Sequence, residues 1–274
     1  MTCNVNSSGT LTRALAASRD RQTFLMVSQA LAAGRTMLAF QPVVEARNPT
    51  SPAFHEGLIR ILDETGIVVP AGQFVAAIED QHLGRAIDCA ALTHGLDALA
   101  RVPDLRLSLN MSVRTIGHRP WMRVLDEGLE RDPMAAERLI IEITERSAIL
   151  APEKVGAFMK DLQAHGIAFA LDDFGSGYTS FRHFRELRFD ILKLDGSYCR
   201  GIDGHGDNRF LVETLVRVGR HFGCYTVAEM VERPEDAAVL AELGLDALQG
   251  WLFGKPELIP HWHRDARTGL LEAV

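Results

Sequence analysis

Polar side chains, most of them carboxylates, recur at or near the ends of seven β-rich runs of this sequence. They are Glu56, Asn110, Glu142, Glu145, Asp172, Asp173, Lys193, Asp195, Glu229, Glu232 and Gln249. When parallel strands close into a barrel, their carboxyl ends surround one opening, and barrel active sites are built there. The spacing therefore predicts a single polar site that is assembled from many separate segments.

The number of acids predicts a need for cations. Carboxylates crowded into one opening repel one another, and several would have to take up protons unless positive charge neutralises them. Hard oxygen ligands favour Mg²⁺ or Mn²⁺, and the lack of histidine in the set disfavours zinc. Asp172 and Asp173 are adjacent, and where a strand passes into a loop both can reach the opening. Two metal ions in such a site are a standard arrangement for phosphoester hydrolysis.

Two cationic residues complement the acids. Lys193 could orient an attacking water or neutralise charge in the transition state. Arg60 follows Glu56 by four residues on the same predicted strand, so both point to one face, and its guanidinium could hold a phosphate oxygen. Each of these residues alone is better explained as a solvated loop residue, a helix cap or an ion-pair partner. Their joint recurrence at the strand ends is what favours a site.

The elements that must position these residues alternate along the chain. Eight strands are predicted, at 37–44, 54–61, 105–110, 138–143, 167–172, 189–194, 225–229 and 246–249. Apolar residues at helical spacing predict helices over 21–33, 83–99, 155–162 and 211–222. This alternation favours an α/β fold of the (β/α)₈ barrel type in one domain. An open doubly wound sheet is the alternative, but no glycine-rich phosphate turn follows the first strand.

Composition excludes several classes. The 274 residues are 47% hydrophobic and carry a net charge of -7, which suits a globular domain and disfavours DNA binding or a polybasic membrane anchor. The four cysteines lie far apart, so neither a disulfide scaffold nor a zinc ribbon is expected. Neither a leader peptide nor a membrane span is apparent, and we expect a cytoplasmic protein. We expect residues 1–20 to be a loose lead-in and 21–274 to form the domain.

Eight segments together resemble the EAL domain, a bacterial phosphodiesterase family that opens cyclic di-GMP to linear 5′-pGpG. From about Phe40 to Pro256 they read FQPVV, EGLIR, LNMS, EITE, LDDFGSGYTSF, LKLD, AEMVE and QGWLFGKP. The resemblance implies a modified TIM barrel whose first strand is antiparallel. It also implies a homodimer that acts in second-messenger signalling linked to biofilm formation and motility.

The resemblance further implies roles for individual residues. One metal ion would be held by Glu56, Asn110, Glu142 and Asp172. The second would be held by Asp172, Asp173 and Glu229. Lys193 would position the attacking water, with help from Glu229. The substrate would be lined by Gln41, Arg60, Asp195, Glu232 and Gln249. Glu145 would anchor the loop Phe174–Ser180, which in the family couples dimerisation to metal binding.

The cofactors implied are two Mg²⁺ or Mn²⁺ ions. Ca²⁺ is expected to bind but to support little turnover, because its looser coordination misplaces the water.

Two positions depart from the family pattern. Gly57 stands where the signature has alanine, and Met230 stands where glycine is usual, next to Glu229.

A non-hydrolysing receptor for cyclic di-GMP and a protein-interaction module are the alternatives to an enzyme. Receptors in the family have lost acids, whereas this sequence keeps all of them.

Overall fold

The computed structural model describes residues 7–177, 186–260 and 262. Its helices are α1 (Ser7–Ala32), α2 (Val75–Ile78), α3 (His82–Arg101), α4 (Arg119–Arg131), α5 (Glu145–Leu150), α6 (Pro152–Gln163), α7 (Gly196–Cys199), α8 (Gly206–Phe222) and α9 (Pro234–Leu243). Its strands are β1 (Thr36–Glu45), β2 (Asn48–Leu62), β3 (Val68–Pro70), β4 (Leu107–Asn110), β5 (Leu139–Thr144), β6 (Ala168–Phe174), β7 (Ile191–Leu194), β8 (Tyr225–Ala228) and β9 (Ala247–Gln249).

Eight of these strands close into a barrel. Their order is β1-β9-β8-β7-β6-β5-β4-β2, and the pairing of β1 with β2 completes the ring. β1 is antiparallel to both of its neighbours, and the other pairs in the ring are parallel. The predicted barrel with an antiparallel first strand is therefore confirmed. Strands such as β5 and β7 are apolar along almost their whole length because both of their faces are buried.

Each of the eight predicted β-rich runs overlaps one barrel strand, whereas β3 was not predicted. β3 has three residues and pairs antiparallel with the end of β2, outside the ring. A strand of this length carries too few residues for an alternating pattern to be recognised.

The expected loose lead-in over residues 1–20 is wrong for residues 7–20, which belong to α1. Residues 1–6 lie outside the described residues. Ser18, Arg19 and Asp20 of this helix are exposed. The alanines and leucines of LTRALAAS favour a helix without needing a buried face, which a search for apolar periodicity does not detect.

The apolar spacing between residues 211 and 222 predicts α8, but the helix turns a neighbouring row of residues inward. Leu211 and Phe222 are exposed, and the buried row is Val212, Val216 and Gly219. A Cβ atom on Gly219 would lie 2.6 Å from a methyl group of β8. The smallest residue thus selects the face that approaches the barrel most closely. Among the helices that the structure describes, none has the length and apolar character needed to cross a membrane.

We predict that Gly250→Ala destabilises the barrel. Gly250 follows β9, and a Cβ atom there would collide with the backbone carbonyl of Val231, which accepts a hydrogen bond from the Leu252 amide. Because backbone cannot move aside as a flexible side chain can, the free energy of unfolding should fall by about 1–3 kcal/mol or more in urea denaturation. Gly206→Ala is the control, since nothing lies within 4 Å of its added methyl group. Equal stability of the two variants would contradict this account.

Candidate active site

A buried lysine lies at the centre of the acidic residues. Lys193 is on β7, and its side chain is 1% exposed. Its Nζ atom is 2.8 Å from carboxylate oxygens of Glu142 and Glu229, 3.3 Å from Asp172 and 3.4 Å from Glu56. One ammonium group therefore contacts four carboxylates, which come from four different segments of the chain.

The strand register explains why these side chains meet. Asn110 at the end of β4 is paired with Glu142 on β5, and Thr144 on β5 is paired with Asp172 on β6. Glu229 directly follows the last residue of β8. Since the strands are parallel, their carboxyl ends lie at the same opening of the barrel, and the polar residues at those ends converge there.

Amide groups orient Glu56 on β2. Asn110 Nδ2 donates to its Oε1 at 2.7 Å, and Gln249 Nε2 donates to its Oε2 at 2.6 Å. Burial acts to raise the pKa of Glu56, but the charge of Lys193 and these hydrogen bonds together hold that pKa below its usual value. Glu56 is therefore a carboxylate in this site, with both oxygens directed by neighbours.

The other two glutamates that contact Lys193 are less well compensated. Burial raises the pKa of Glu142 to about 8, against the opposing charge of Lys193, and burial also raises the pKa of Glu229 well above its usual value. Burial acts to lower the pKa of Lys193, but the surrounding acids hold it well above its ordinary value, so the lysine is charged. One positive charge is insufficient for these carboxylates, and the site favours additional cations.

Three of the acids form a group that could hold a metal ion. Ligand oxygens of Asp172, Asp173 and Glu229 all lie within 4.8 Å of one another. Asp173 has a φ of 54°, a left-handed conformation that is rare for a residue with a side chain. This backbone turn brings two consecutive aspartates to the same side. Burial and the neighbouring acids, Asp172 first among them, raise the pKa of Asp173.

The chemistry of this donor set fits hard divalent cations. It consists of carboxylate oxygens with the amide of Asn110 beside them, which suits Mg²⁺ or Mn²⁺. Glu142 also has a buried Oε1 with no hydrogen-bond partner among the residues that the structure describes. A buried carboxylate oxygen without a donor is costly unless a cation completes its surroundings.

Glu145 lies apart from the lysine cluster and contacts the chain after β6. Its Oε2 atom accepts a hydrogen bond of 2.9 Å from the Gly175 amide. This contact places Glu145 against the beginning of the loop Phe174–Ser180 that the sequence predicts it to anchor. Residues 178–180 of that loop lie outside the described residues.

The predicted substrate-lining residues fall into two groups. Gln249 Nε2 lies 3.3 Å from Gln41 Oε1, so these two amides continue the network around Glu56. The charge of Glu56 also acts on the guanidinium of Arg60. Asp195 and Glu232 have other partners: the Asp195 carboxylate accepts from the Ser197 amide at 2.8 Å, and Glu232 pairs with Arg200 at 2.9 Å. These two acids make no contact with Lys193.

The two departures from the family pattern have clear local settings. A methyl group on Gly57 would lie 2.7 Å from the flexible end of Leu109, so glycine relieves a close contact there. Met230 has a φ of 55°, the conformation in which glycine is least strained, and its side chain lies against Gly196 at the start of α7. Keeping a side chain in this conformation costs roughly 1–2 kcal/mol.

A cavity of about 410 Å³ adjoins Glu56 and Asn110, with largely apolar walls from β2, α2 and α3. Asp88 on α3 lies in its wall and was missed by the sequence analysis. Its Oδ2 atom accepts hydrogen bonds from the Ser112 amide and the Thr115 hydroxyl. An acid inside the apolar stripe of a helix was the available signal. Burial raises the pKa of Asp88 to about 7.

The fold and the site together define a barrel domain with a cluster of acidic residues around a buried lysine at the carboxyl ends of its strands. A model of the family described as "EAL domain" matches residues 25–256. The chain therefore belongs to the EAL domain family, as the sequence motifs predicted.

Individual relatives agree with this assignment. The chain is 28% identical over 235 residues to the cyclic di-GMP phosphodiesterase PdeF of Escherichia coli. The aligned region covers 84% of this chain and 31% of PdeF. It thus spans about a third of that relative. The PaMucR phosphodiesterase in complex with c-di-GMP superimposes with a TM-score of 0.78 at 28% identity, over 86% of this chain and 97% of that one. The FimX EAL domain of Pseudomonas aeruginosa, bound to c-di-GMP, has a TM-score of 0.79 over 86% of this chain and 96% of that one; at 22% identity it is evidence for the fold alone.

We predict that Lys193→Met destabilises the metal-free protein. Methionine keeps most of the side-chain volume but removes the charge that four carboxylates share, so the free energy of unfolding should fall by about 3–5 kcal/mol. The loss should be larger at pH 8.5 than at pH 5.5, because carboxyl groups with raised pKa values are neutralised by protons at the lower pH. Urea denaturation with a chelator measures it.

The matched control is Lys154→Met, which removes an exposed lysine in the first turn of α6. It should change stability by less than about 1 kcal/mol. If Lys193→Met were as stable as this control at pH 8.5, the central role of the lysine would be wrong.

We predict that Asp88→Asn removes part of the pH dependence of stability. Because burial lifts the folded-state pKa of Asp88 to about 7, the folded protein holds a proton that the unfolded chain releases, and stability falls as the pH rises towards 7. Asparagine keeps an acceptor for Ser112 and Thr115 but does not titrate. The stability lost between pH 5 and pH 8 should shrink by on the order of 2 kcal/mol.

The control is Asp126→Asn, which changes an exposed acid on α4. Urea midpoints measured at several pH values should follow the wild-type profile for this variant. A wild-type profile for Asp88→Asn as well would show that Asp88 is already ionised at pH 5.

Proposed function

We propose that this chain is a metal-dependent phosphodiesterase that hydrolyses cyclic di-GMP to linear 5′-pGpG. The observation that carries the proposal is the cluster of Glu56, Glu142, Asp172 and Glu229 around the buried Lys193. Membership of the EAL family and the names of PdeF and PaMucR support cyclic di-GMP as the substrate. Both phosphodiester groups of this molecule are anionic, which suits a site that also attracts divalent cations.

The ligands proposed for the cations are those expected from the sequence. Glu56, Asn110, Glu142 and Asp172 would hold one ion, and Asp172, Asp173 and Glu229 would hold the other. When bound, two Mg²⁺ or Mn²⁺ ions would screen the phosphate charge and lower the pKa of a coordinated water. The close grouping of Asp172, Asp173 and Glu229 and the unpartnered buried Oε1 of Glu142 support this assignment.

Lys193 acts in this proposal as a fixed hydrogen-bond donor. The acids around it keep its pKa high, so it stays charged and does not accept the proton of the water. Its ammonium group can hold the attacking water or a phosphate oxygen, and Glu229, at 2.8 Å from its Nζ atom, shares the task of orienting the water. A charged donor that is already positioned needs no reorganisation during the reaction.

The remaining residues bind the substrate. Gln41, Arg60, Asp195, Glu232 and Gln249 would line the bound nucleotide, as the sequence implies. The apolar cavity beside Glu56 and Asn110 offers space for one guanine base. In the reaction, water adds to one phosphorus, the bond to a ribose 3′ oxygen breaks, and that oxygen leaves as a hydroxyl with a proton from the water.

The direct test is incubation of the chain with cyclic di-GMP and Mg²⁺ or Mn²⁺, followed by chromatographic separation of the nucleotides. We expect linear 5′-pGpG, and little product when Ca²⁺ replaces these ions because its coordination is looser. A folded protein that binds the nucleotide but releases no product with either ion would instead be a receptor. Size-exclusion chromatography of the same samples tests the homodimer.

We predict that Asp172→Asn lowers kcat by at least about 100-fold, since it removes the charge of the carboxylate proposed to contact both ions. The side-chain shape is kept, so the variant should still fold. Product formation at fixed substrate and saturating Mn²⁺ measures the loss. Asp126→Asn, the same chemical change on the exposed face of α4, should retain wild-type activity. Near-full activity of Asp172→Asn would refute the ligand assignment.

A further inference from the structure

Both backbone polar groups of Gly175 are held by side chains. Its amide donates to the Glu145 carboxylate at 2.9 Å, and its carbonyl accepts a hydrogen bond of 2.7 Å from the Tyr198 hydroxyl. Gly175 is two residues beyond Asp173, where the chain leaves β6. The backbone just after Asp172 and Asp173 is thus held by one residue of α5 and one of α7.

Gly175 is part of a tight turn that includes Asp173. The Ser176 amide donates to the Asp173 carbonyl at 3.1 Å, and the Ser176 hydroxyl donates to the same oxygen at 2.8 Å. Gly175 therefore lies inside a turn that closes on Asp173. A displacement of its carbonyl is transmitted directly to the backbone that carries the Asp173 side chain.

The turn needs such support because its backbone is strained. Asp173 and Gly175 both have positive φ angles, 54° and 97°. The left-handed conformation of Asp173 is unfavourable for a residue with a Cβ atom, and such residues persist only where surrounding contacts hold them. It is also the feature that brings the Asp172 and Asp173 carboxylates to one side of the strand.

Tyr198 is well placed to supply this support. It lies on α7, which begins directly after Asp195. The Asp195 carboxylate caps this helix by accepting from the Ser197 amide, and the Asp195 amide donates to the Phe174 carbonyl at 3.2 Å. A Cβ atom on Gly175 would lie 3.0 Å from the Tyr198 ring, so glycine lets the ring contact the backbone. The Tyr198 hydroxyl then reaches the Gly175 carbonyl. The ring by itself would not hold that carbonyl in place.

We propose that Tyr198 is a positioning residue for the cation site. Through the Gly175 carbonyl, its hydroxyl holds the turn from Asp173 to Ser176 and so keeps the carboxylates of Asp172 and Asp173 directed at a divalent cation. Glu145 and Tyr198 act as one clamp on a single residue, Gly175. The inference rests on the proposed function, because it assumes that these carboxylates bind a metal ion.

The test is Tyr198→Phe, which removes one oxygen atom and leaves the ring in place. Tyr225→Phe is the matched control, because the Tyr225 hydroxyl bonds the Asp246 carbonyl at 3.4 Å at the start of β8, the opposite end of that strand from Glu229. Calorimetric titration of the full chain with Mn²⁺, without nucleotide, should show binding weakened about 3- to 10-fold for Tyr198→Phe, the range of one lost hydrogen bond. Tyr225→Phe should bind Mn²⁺ as the wild type does.

Two further readouts separate positioning from a merely structural role. Hydrogen exchange of the Gly175 amide in metal-free protein should accelerate in Tyr198→Phe, because the turn is then held at Gly175 by Glu145 alone and opens more often. Raising the Mn²⁺ concentration should restore most of the lost kcat, since binding is what is weakened. A residue that only stabilised the fold would lower the melting temperature and leave the Mn²⁺ affinity unchanged.

A double-mutant cycle with Glu145→Ala tests the clamp itself. If both side chains hold the same residue, Tyr198→Phe should weaken Mn²⁺ binding less in the Glu145→Ala background than in the wild type. Additive effects would overturn the clamp, and so would equal Mn²⁺ affinity of Tyr198→Phe and Tyr225→Phe. If the wild type itself bound no Mn²⁺ and released no 5′-pGpG, the proposed function would fail instead.

Discussion

The rest of the site depends on one electrostatic constraint: a buried lysine surrounded by more carboxylates than it can neutralise. Lys193 contacts four acids, two of them at 2.8 Å. Removing such groups from water is costly unless opposite charges approach closely. The lysine therefore offsets part of the cost of burying these acids, and the negative charge left over attracts cations to the same place.

The barrel makes this arrangement possible because it gathers distant segments at one opening. Glu56 and Glu229 are separated by most of the chain, yet both contact Lys193. The antiparallel β1 does not disturb this geometry, since β2 and the following barrel strands still point their carboxyl ends the same way. Gln249 at the end of β9 then reaches Glu56 and closes the ring of polar contacts.

Strained backbone lies where the acids are. Asp173 and Met230 are the residues other than glycine with positive φ in the described part of the chain, and each adjoins one of the acids near Lys193. Such conformations persist where neighbouring contacts hold them. The turn after Asp173 is held by the hydrogen bonds that Glu145 and Tyr198 make to Gly175. Met230 is held against the first turn of α7. The accuracy of the site thus depends on loops as well as on strands.

The sequence by itself determined the eight barrel strands and the residues of the acidic cluster, because apolar runs and the polar residues that end them are local patterns. It did not indicate that residues 7–20 are helical or which face of α8 is buried, since neither depends on apolar spacing alone. Only the tertiary structure decided that Lys193 is the common partner of four acids, that Asp88 lies in a cavity wall and that Tyr198 bonds the Gly175 carbonyl. These contacts join residues far apart in the chain, and no local pattern encodes the distance between them.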